Sequence, residues 1–293
     1  MNKYLLVTLI ILAAIIIFLV AAYAYIYNDA QRLPLNNPAY YVEHRDPGDT
    51  RKVVVCAGDS ITHGTVSVNY VDMLQERLGD DYVFVNAGIN GELAWNLDQR
   101  VDDIIACNPQ YVTILIGTND ANASMNEKSE KRYMKDMGLP RKPDKQWYRE
   151  NLEKLVDTLK KKTDARIALL SLPPIGEEPG NQAYERATEY SKVVKTVAGK
   201  KGVTYLPLHE KMTTMVTTDP TVPGVSYNGT TEPAMYKALA RHYLLGKSFD
   251  EISGINGFVY LVDLLHLNSR GAGEVADLIE GFLDQQPDLS VSR

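Results

Sequence analysis

The chain has 293 residues with 31 Lys and Arg against 37 Asp and Glu, so its formal net charge is −6. This acidic balance, with a sequence pI near 5.5, argues against a protein that binds nucleic acid through its phosphates. The 45% hydrophobic and 23% charged shares exclude a disordered chain, and two cysteines are too few for a disulfide-stapled scaffold.

The apolar residues are concentrated at the amino terminus. Residues 1–27 contain 24 members of the hydrophobic set and a single charged residue, Lys3. The other 266 residues carry 30 basic and 37 acidic side chains, a net charge of −7. That portion is long enough for one sizeable core and short for two.

The amino-terminal run has the length and composition of a membrane span. Residues 4–28 carry no charge, and about 20 apolar residues are enough to cross the hydrocarbon core of a bilayer. Tyrosines at 23, 25 and 27 stand where an interfacial aromatic belt would lie. We therefore expect a transmembrane anchor over residues 1–27, with the rest of the chain outside the cytoplasm. A cleaved signal peptide is the alternative, because Ala22 and Ala24 have the spacing of a cleavage site.

Residues 28–50 contain three prolines, several Asn and Asp, and no clear periodicity, which predicts a linker. Beyond it, short apolar runs alternate with helical patterns, as expected for a single domain over residues 51–293. Strands separated by helices predict a parallel sheet covered on both faces, a three-layer α/β/α sandwich. Strands are predicted over 52–57, 82–87, 111–116, 166–171 and 203–206, and helices over 68–78, 93–106, 147–162, 184–198 and around 275–282.

Two segments, residues 120–145 and 209–262, are longer than ordinary connections and are expected to be lids or binding loops. Residues 124–145 hold seven Lys and Arg against four Asp and Glu, a net charge of +3. One interpretation is a lid that favours anionic substrates or faces anionic lipid headgroups. The other is an ordinary solvated helical surface.

Four short blocks with reactive side chains lie at the loops where parallel sheets concentrate their chemistry. The first strand leads to Gly58-Asp59-Ser60, and the second to a glycine-containing loop with Gly91. The third leads to Gly117-Thr118-Asn119-Asp120, and the turn before the last helix carries Asp263 and His266. Each block alone is a weak signal, but their order and positions together are specific.

With these blocks the sequence resembles the SGNH hydrolase superfamily, also called GDSL esterases and lipases. The match extends over about residues 50–285, with Ile61 in place of the family's Leu. The resemblance implies a flavodoxin-like fold with a mostly five-stranded sheet and serine esterase activity. The stretch 209–262 is longer than expected between the fifth strand and the Asp-x-x-His turn.

The same residues can be assigned roles from their chemistry. A serine hydroxyl is a weak nucleophile that needs an adjacent base, so Ser60 is the candidate nucleophile and His266 the candidate base. Asp263 would orient the imidazole and stabilise its protonated form. The backbone amides of Ser60 and Gly91 and the side-chain amide of Asn119 would donate to the oxyanion.

Other interpretations stay open at this point. Ser60 could be only a helix N-cap, and His63 is a rival base. The same catalytic set could serve an O-acyltransferase acting on an envelope polysaccharide, or a lysophospholipase or thioesterase, and a non-catalytic surface protein is a third class. We expect no metal or organic cofactor, and a small-molecule or glycan ester as substrate.

Overall fold

The computed structural model describes residues 3–218 and 223–285. Residues 219–222 of the second predicted insertion and residues 286–293 at the end of the predicted domain lie outside the described residues. Within them, five parallel strands form one sheet in the order β2-β1-β3-β4-β5. The strands are β1 (Lys52–Gly58), β2 (Tyr82–Gly88), β3 (Tyr111–Leu115), β4 (Arg166–Leu170) and β5 (Thr204–Leu206). All five predicted strands are confirmed, as is their parallel arrangement.

Helices cover both faces of the sheet, which is why β3 is buried along its whole length and β1 along all but its first residue. The helices are α1 (Lys3–Ala30), α2 (Pro38–His44), α3 (Ser60–His63), α4 (Tyr70–Leu78), α5 (Ala94–Gln99), α6 (Val101–Ala106), α7 (Thr118–Ala123), α8 (Glu127–Asp136), α9 (Lys145–Lys162), α10 (Gln182–Lys201), α11 (Leu208–Thr218), α12 (Glu232–Leu245), α13 (Phe249–Asn256) and α14 (Ser269–Asp284). One layer is formed by α4, α11 and α14, and the other by α5, α6, α9 and α10. The predicted three-layer sandwich is therefore confirmed.

The predicted helix over 93–106 is instead two short helices, α5 and α6. The break is at Arg100, whose backbone leaves the helical region with φ −116° and ψ 23°. Its guanidinium donates to the carbonyls of Gly58 and Ala87, at 3.4 and 2.9 Å, and pairs with Glu92. Arg100 therefore ties the ends of β1 and β2 to the loop that follows β2.

The segment predicted as a linker contains α2, which packs against β2 and α6. Asn37 caps this helix by accepting from the Tyr40 amide, and Pro38 occupies its first turn. Just before it, the Asn36 carbonyl accepts from the Asn86 amide at 3.0 Å. Residues 36–44 therefore cover the edge of β2 that would otherwise be open to another strand. The division at residue 50 stays a prediction.

Among the described residues, α1 alone is long and apolar enough to cross a bilayer, judged by length and composition. Its last turn packs on the domain, where Ile26 and Ala30 meet Val66, Met235 and Leu239. Both long insertions contain helices rather than extended loops: α7 and α8 in the first, and α11, α12 and α13 in the second. Leu93, Ala123, Tyr133, Leu139 and Trp147 form a separate small apolar cluster under α8.

Candidate active site

The strand register brings the first three blocks to the same edge of the sheet. Gly58 at the end of β1 pairs with Gly88 of β2 and with Leu115 of β3, so the loops after these strands start side by side. Ser60, Gly91 and Asn119 follow within four residues of these paired positions. The fourth block reaches this edge from the turn before α14.

Ser60, His266 and Asp263 form a continuous hydrogen-bonded chain. The Ser60 hydroxyl lies 3.0 Å from His266 Nε2, and His266 Nδ1 lies 2.8 Å from Asp263 Oδ2. The three residues are buried, with relative exposures of 8%, 2% and 2%. In this geometry the imidazole can take the serine proton while the carboxylate holds its other nitrogen.

The backbone around Ser60 places its side chain at the start of α3. Asp59, not Ser60, is the N-cap, because its side chain accepts from the Ile61 amide at 3.0 Å. The N-cap interpretation of Ser60 is therefore wrong, and its hydroxyl is free to face His266. His63, the rival base, instead uses Nε2 to donate to the Arg32 carbonyl at 2.7 Å.

The turn from Asp263 to His266 is closed by its own backbone. Asp263 Oδ1 accepts from the amides of Leu265 and His266, at 2.7 and 2.9 Å, which leaves Oδ2 for the imidazole. The His266 carbonyl accepts from the Val262 amide at 2.7 Å. Three residues of separation are thus enough for one carboxylate to cap the turn and orient the ring. Asn268 then caps α14 by accepting from the Gly271 amide.

Burial and charge act against each other on the imidazole and its carboxylate. Burial by itself lowers the pKa of His266, but the Asp263 carboxylate and its hydrogen bond outweigh that effect and the pKa is raised above 6.5. For Asp263, burial raises the pKa, yet the contacts from His266 and the two amides leave it below its usual value. Asp263 is therefore ionised wherever His266 titrates.

Two further carboxyls lie buried beside the site. Burial raises the pKa of Asp59 to about 7, opposed by the Ile61 amide and by His266, and its Oδ2 has no partner among the described residues. Burial likewise raises the pKa of Asp120 to about 7, and the nearby Asp59 adds to the effect. Asp120 Oδ2 accepts from the Ala94 amide at 3.0 Å, so it joins the third block to α5.

The three candidate oxyanion donors differ in how they are held. The amides of Ser60 and Gly91 donate to no acceptor within residues 3–218 and 223–285. Gly91 has φ +79°, and a Cβ there would lie 3.1 Å from the Met137 sulfur, so the loop conformation requires glycine. Asn119 Nδ2 donates one hydrogen to the Glu92 carbonyl at 3.0 Å, which leaves its second N–H available.

Sequence reasoning missed Tyr133, which orients the Asn119 amide. The Tyr133 hydroxyl donates to Asn119 Oδ1 at 2.7 Å and accepts from Asn122 Nδ2 at 3.1 Å. Asn122 Nδ2 also donates to the Thr231 hydroxyl at 3.0 Å. The first insertion, through Tyr133, therefore bonds to Asn119 directly, and the second, through Thr231, reaches it only by way of Asn122 and Tyr133.

Glu177, in the loop after β4, was also missed. Its carboxylate accepts from three consecutive amides, those of residues 259, 260 and 261, at 2.6 to 2.9 Å. The neighbouring Gly176 amide donates to the Leu264 carbonyl at 2.8 Å. This loop therefore holds the segment that carries Asp263 and His266. The one sequence signal for Glu177 was its position as an acidic residue in the loop after a predicted strand.

The basic segment 124–145 is largely neutralised by ion pairs. Five of its seven basic side chains have acidic partners: Lys131 with Glu127, Arg132 with Glu232, Arg141 with Asp144, Lys142 with Glu130 and Lys145 with Glu189. Such paired charges attract an anion weakly, which favours the interpretation as a solvated surface. Across the described ranges, no group of three or more His, Cys, Asp or Glu is placed to hold a metal.

The sequence and fold were compared with known proteins. Similar solved structures are an acetylxylan esterase from Geobacillus stearothermophilus (19% identity, TM-score 0.55, 82% of this chain and 96% of that chain) and a lipase/acylhydrolase from Enterococcus faecalis (21% identity, TM-score 0.52, 79% and 95%). A third is the acetyl xylan esterase AlAXEase (19% identity, TM-score 0.54, 79% and 99%). Structural similarity at identities this low shows a shared fold and does not identify a substrate. No curated protein matches the sequence.

The family comparison agrees with the resemblance found in the four blocks. The GDSL-like Lipase/Acylhydrolase family matches residues 56–273, which include every block from Ser60 to His266. The chain therefore belongs to the GDSL-like Lipase/Acylhydrolase family and is a serine ester hydrolase.

Proposed function

We propose that the protein hydrolyses short-acyl carboxylic esters with Ser60 as the nucleophile, His266 as the base and acid, and Asp263 as the orienting carboxylate. The observation that carries this proposal is the unbroken chain of contacts at 3.0 and 2.8 Å from the serine hydroxyl to the carboxylate. In the first step His266 Nε2 takes the Ser60 proton as the oxygen attacks the ester carbonyl. His266 then gives that proton to the departing alcohol, and water releases the acyl group by the same path.

The oxyanion would accept hydrogen bonds from the Ser60 and Gly91 amides and from the second N–H of Asn119. Supporting this role, the two backbone amides are unpaired within the described chain, and the Asn119 side chain is held at both ends by Glu92 and Tyr133. Fixed donors need no reorganisation when charge develops on the substrate oxygen. Loss of one such donor typically costs on the order of 10²–10³-fold in kcat.

A short acyl group is proposed because the nucleophile is largely buried. Ser60 is 8% exposed, and its partners His266 and Asn119 are buried. Acetyl esters of a glycan are the first substrates to test, because two similar solved structures are acetyl xylan esterases.

We also propose that α1 is an uncleaved anchor with its amino terminus inside and the catalytic domain outside the cytoplasm. Its 28-residue length and the absence of charged residues from 4 to 28 support a span. The intact mass of membrane-extracted protein tests this directly. A mass lacking the first 24 residues would instead establish a cleaved signal peptide and a secreted enzyme.

The activity is tested with the full chain in lipid nanodiscs and a panel of p-nitrophenyl esters and acetylated sugars. We expect turnover to be fastest with acetyl esters and to disappear in Ser60→Ala, whose smaller side chain leaves the fold intact. Full activity in Ser60→Ala would refute the assignment of the nucleophile. Faster turnover of long-chain esters would refute the short-acyl preference alone.

A further inference from the structure

Exposed apolar side chains of the described domain are concentrated near the carboxyl end of α1. Beyond residue 30, five of the nine exposed large apolar residues lie in the segment just after α1 or on α12. These five, which we name the collar, are Leu33, Leu35, Tyr236, Leu244 and Leu245. Leu35 and Leu245 are the most open, at 86% and 69% exposure. Open apolar side chains on two segments that both adjoin the end of α1 mark a candidate interaction surface.

Packing and hydrogen bonds fix α12 against the last turns of α1. Met235, Leu239 and Tyr243, one turn apart along α12, share an apolar cluster with Ile26 and Ala30. The Tyr243 hydroxyl donates to the Thr65 carbonyl at 2.6 Å, and the Thr65 hydroxyl donates to the Ala30 carbonyl at 2.7 Å. The position of α12 along the axis of α1 is therefore set by direct contacts.

The length of α1 determines the depth of those contacts in a membrane. A helix of 28 residues is about 42 Å long at about 1.5 Å per residue, against roughly 30 Å of hydrocarbon and about 40–45 Å with the headgroups. About 20 residues of this helix, roughly residues 4–24, fill 30 Å of hydrocarbon, so residues 26–30 stand among the headgroups. Because α12 packs on those residues, it lies at the same depth.

The outer face of α12 has the composition of a helix that lies in that layer. Beside Tyr236, Leu244 and Leu245 it carries the exposed Lys237, and its single acidic residue, Glu232, is paired with Arg132. Arg241 instead donates to Asn256 Oδ1 at 3.0 Å. Leucine and tyrosine with lysine and arginine are typical of helices in the membrane interface, where the apolar parts enter the acyl boundary and the cations meet phosphates.

We propose that the collar is seated in the headgroup layer of a lipid bilayer, so that the domain rests on the membrane in one fixed orientation. The inference rests on the proposed anchoring of α1 and goes beyond it, because a tether alone would leave the domain free to rotate and tilt. A bilayer is favoured as the partner of this surface because the collar adjoins the one segment of the described chain that can span a membrane.

This seating has a consequence for the candidate active site. The Ala30 carbonyl also accepts from Asn90 Nδ2 at 2.6 Å, and the Arg32 carbonyl accepts from His63 Nε2 at 2.7 Å. Asn90 precedes Gly91, and His63 is one helical turn from Ser60, so both loops of the site are bonded to the end of the anchor. The substrate class that this geometry serves is a short-acyl ester carried by a membrane-bound molecule at the bilayer surface.

Fluorescence quenching tests the seating without relying on catalysis. The full chain is labelled at Leu245→Cys and reconstituted in phosphatidylcholine vesicles whose lipids carry a nitroxide near the headgroup. The matched control is Lys161→Cys, exposed near the end of α9 just before β4 and therefore at the opposite, amino edge of the sheet. Both native cysteines are buried and stay unlabelled.

We expect the nitroxide lipid to quench the label at 245 several-fold more than the label at 161. Equal quenching at the two positions would overturn the proposal. A label at 245 that is shielded from water-soluble quenchers but not quenched by the lipid would also overturn it, and would indicate a second copy of the chain on the collar.

Activity measurements then test the consequence for substrate. In Leu244→Asp/Leu245→Asp, we expect hydrolysis of a vesicle-borne acetyl ester to fall roughly tenfold, because charged side chains leave the interface. Hydrolysis of soluble p-nitrophenyl acetate should be unchanged, since neither leucine contacts the site. The same relative change in rate on both substrates, compared with the unsubstituted protein, would contradict this consequence. A failure of the proposed chemistry would appear differently, as activity retained in Ser60→Ala.

Discussion

The Tyr133 hydroxyl is bonded to the side chain of Asn119, the proposed oxyanion donor, and Tyr133→Phe tests that contact. The substitution removes one hydroxyl and keeps the ring in its apolar cluster with Leu93 and Trp147. It deletes the 2.7 Å hydrogen bond to Asn119 Oδ1 and leaves the 3.0 Å bond from Nδ2 to the Glu92 carbonyl. Asn119 then keeps one of its two anchors. The substitution also removes the acceptor of Asn122 Nδ2, which keeps its bond to Thr231.

The size of the effect follows from the burial of the oxygen that loses its donor. Asn119 is 5% exposed, and a buried acceptor without a partner costs about 1–3 kcal/mol. Rotation of the Asn119 amide can relieve this cost, so the variant populates orientations in which its second N–H no longer points toward the oxyanion. Losing 1–2 kcal/mol of the orientation preference corresponds to a factor of about 5–30, below the 10²–10³ expected for Asn119→Ala. We therefore expect kcat to fall about tenfold, and KM to stay within about twofold.

The assay is steady-state hydrolysis of p-nitrophenyl acetate by the full chain in nanodiscs. Tyr190→Phe is the matched control, because Tyr190 is equally buried and its hydroxyl donates to Ser124 at 2.9 Å without touching Asn119. The double variant Tyr133→Phe/Asn119→Ala should be no slower than Asn119→Ala alone, since both changes act through one donor. Equal kcat for the two tyrosine variants would refute the reasoning.

Three further results are expected. Because the pKa of His266 is raised above 6.5 and the base must be neutral, kcat/KM should rise with pH through an apparent pKa above 6.5; an inflection below 6.5 would contradict this. Glu177→Gln should lower the free energy of unfolding by about 2–3 kcal/mol in urea titrations, because it loses charged acceptors for three amides, and the exposed Glu178→Gln should not. Gly91→Ala should lower kcat about tenfold, given the cost of about 1–2 kcal/mol for φ +79° beside Met137; Gly138→Ala, at φ +62° in open space, carries the same backbone cost, so equal kcat in both would contradict it.

The parts of the site that sequence could predict are those set by local pattern. The strand over 52–57 could be predicted because a strand buried on both faces is a continuous apolar run, here rich in β-branched residues. Once the strands were placed, the fold rule selected the loops that follow them. Ser60 and Asn119 were then found as side chains just beyond those strands, and Asp263 and His266 as a pair within one turn.

The supporting residues were missed because their contacts are long-range and follow no local pattern. Glu177 bonds to amides more than 80 residues further along the chain. Tyr133 lies on a charged helix, and only the packed fold turns its hydroxyl toward Asn119. Arg100 has helical residues on both sides, and the break there coincides with its bonds to two strand ends. Such residues become visible only when the elements are assembled.

The central claim is that Ser60 is the nucleophile activated by His266 in this ester hydrolase. The most direct measurement is labelling of the full chain with a fluorophosphonate, followed by mass spectrometry of the peptide that contains Ser60. We expect one adduct per chain, on Ser60, and its loss in His266→Ala. A folded protein that hydrolyses esters while Ser60 stays unmodified, or that carries its adduct on another residue, would contradict the account.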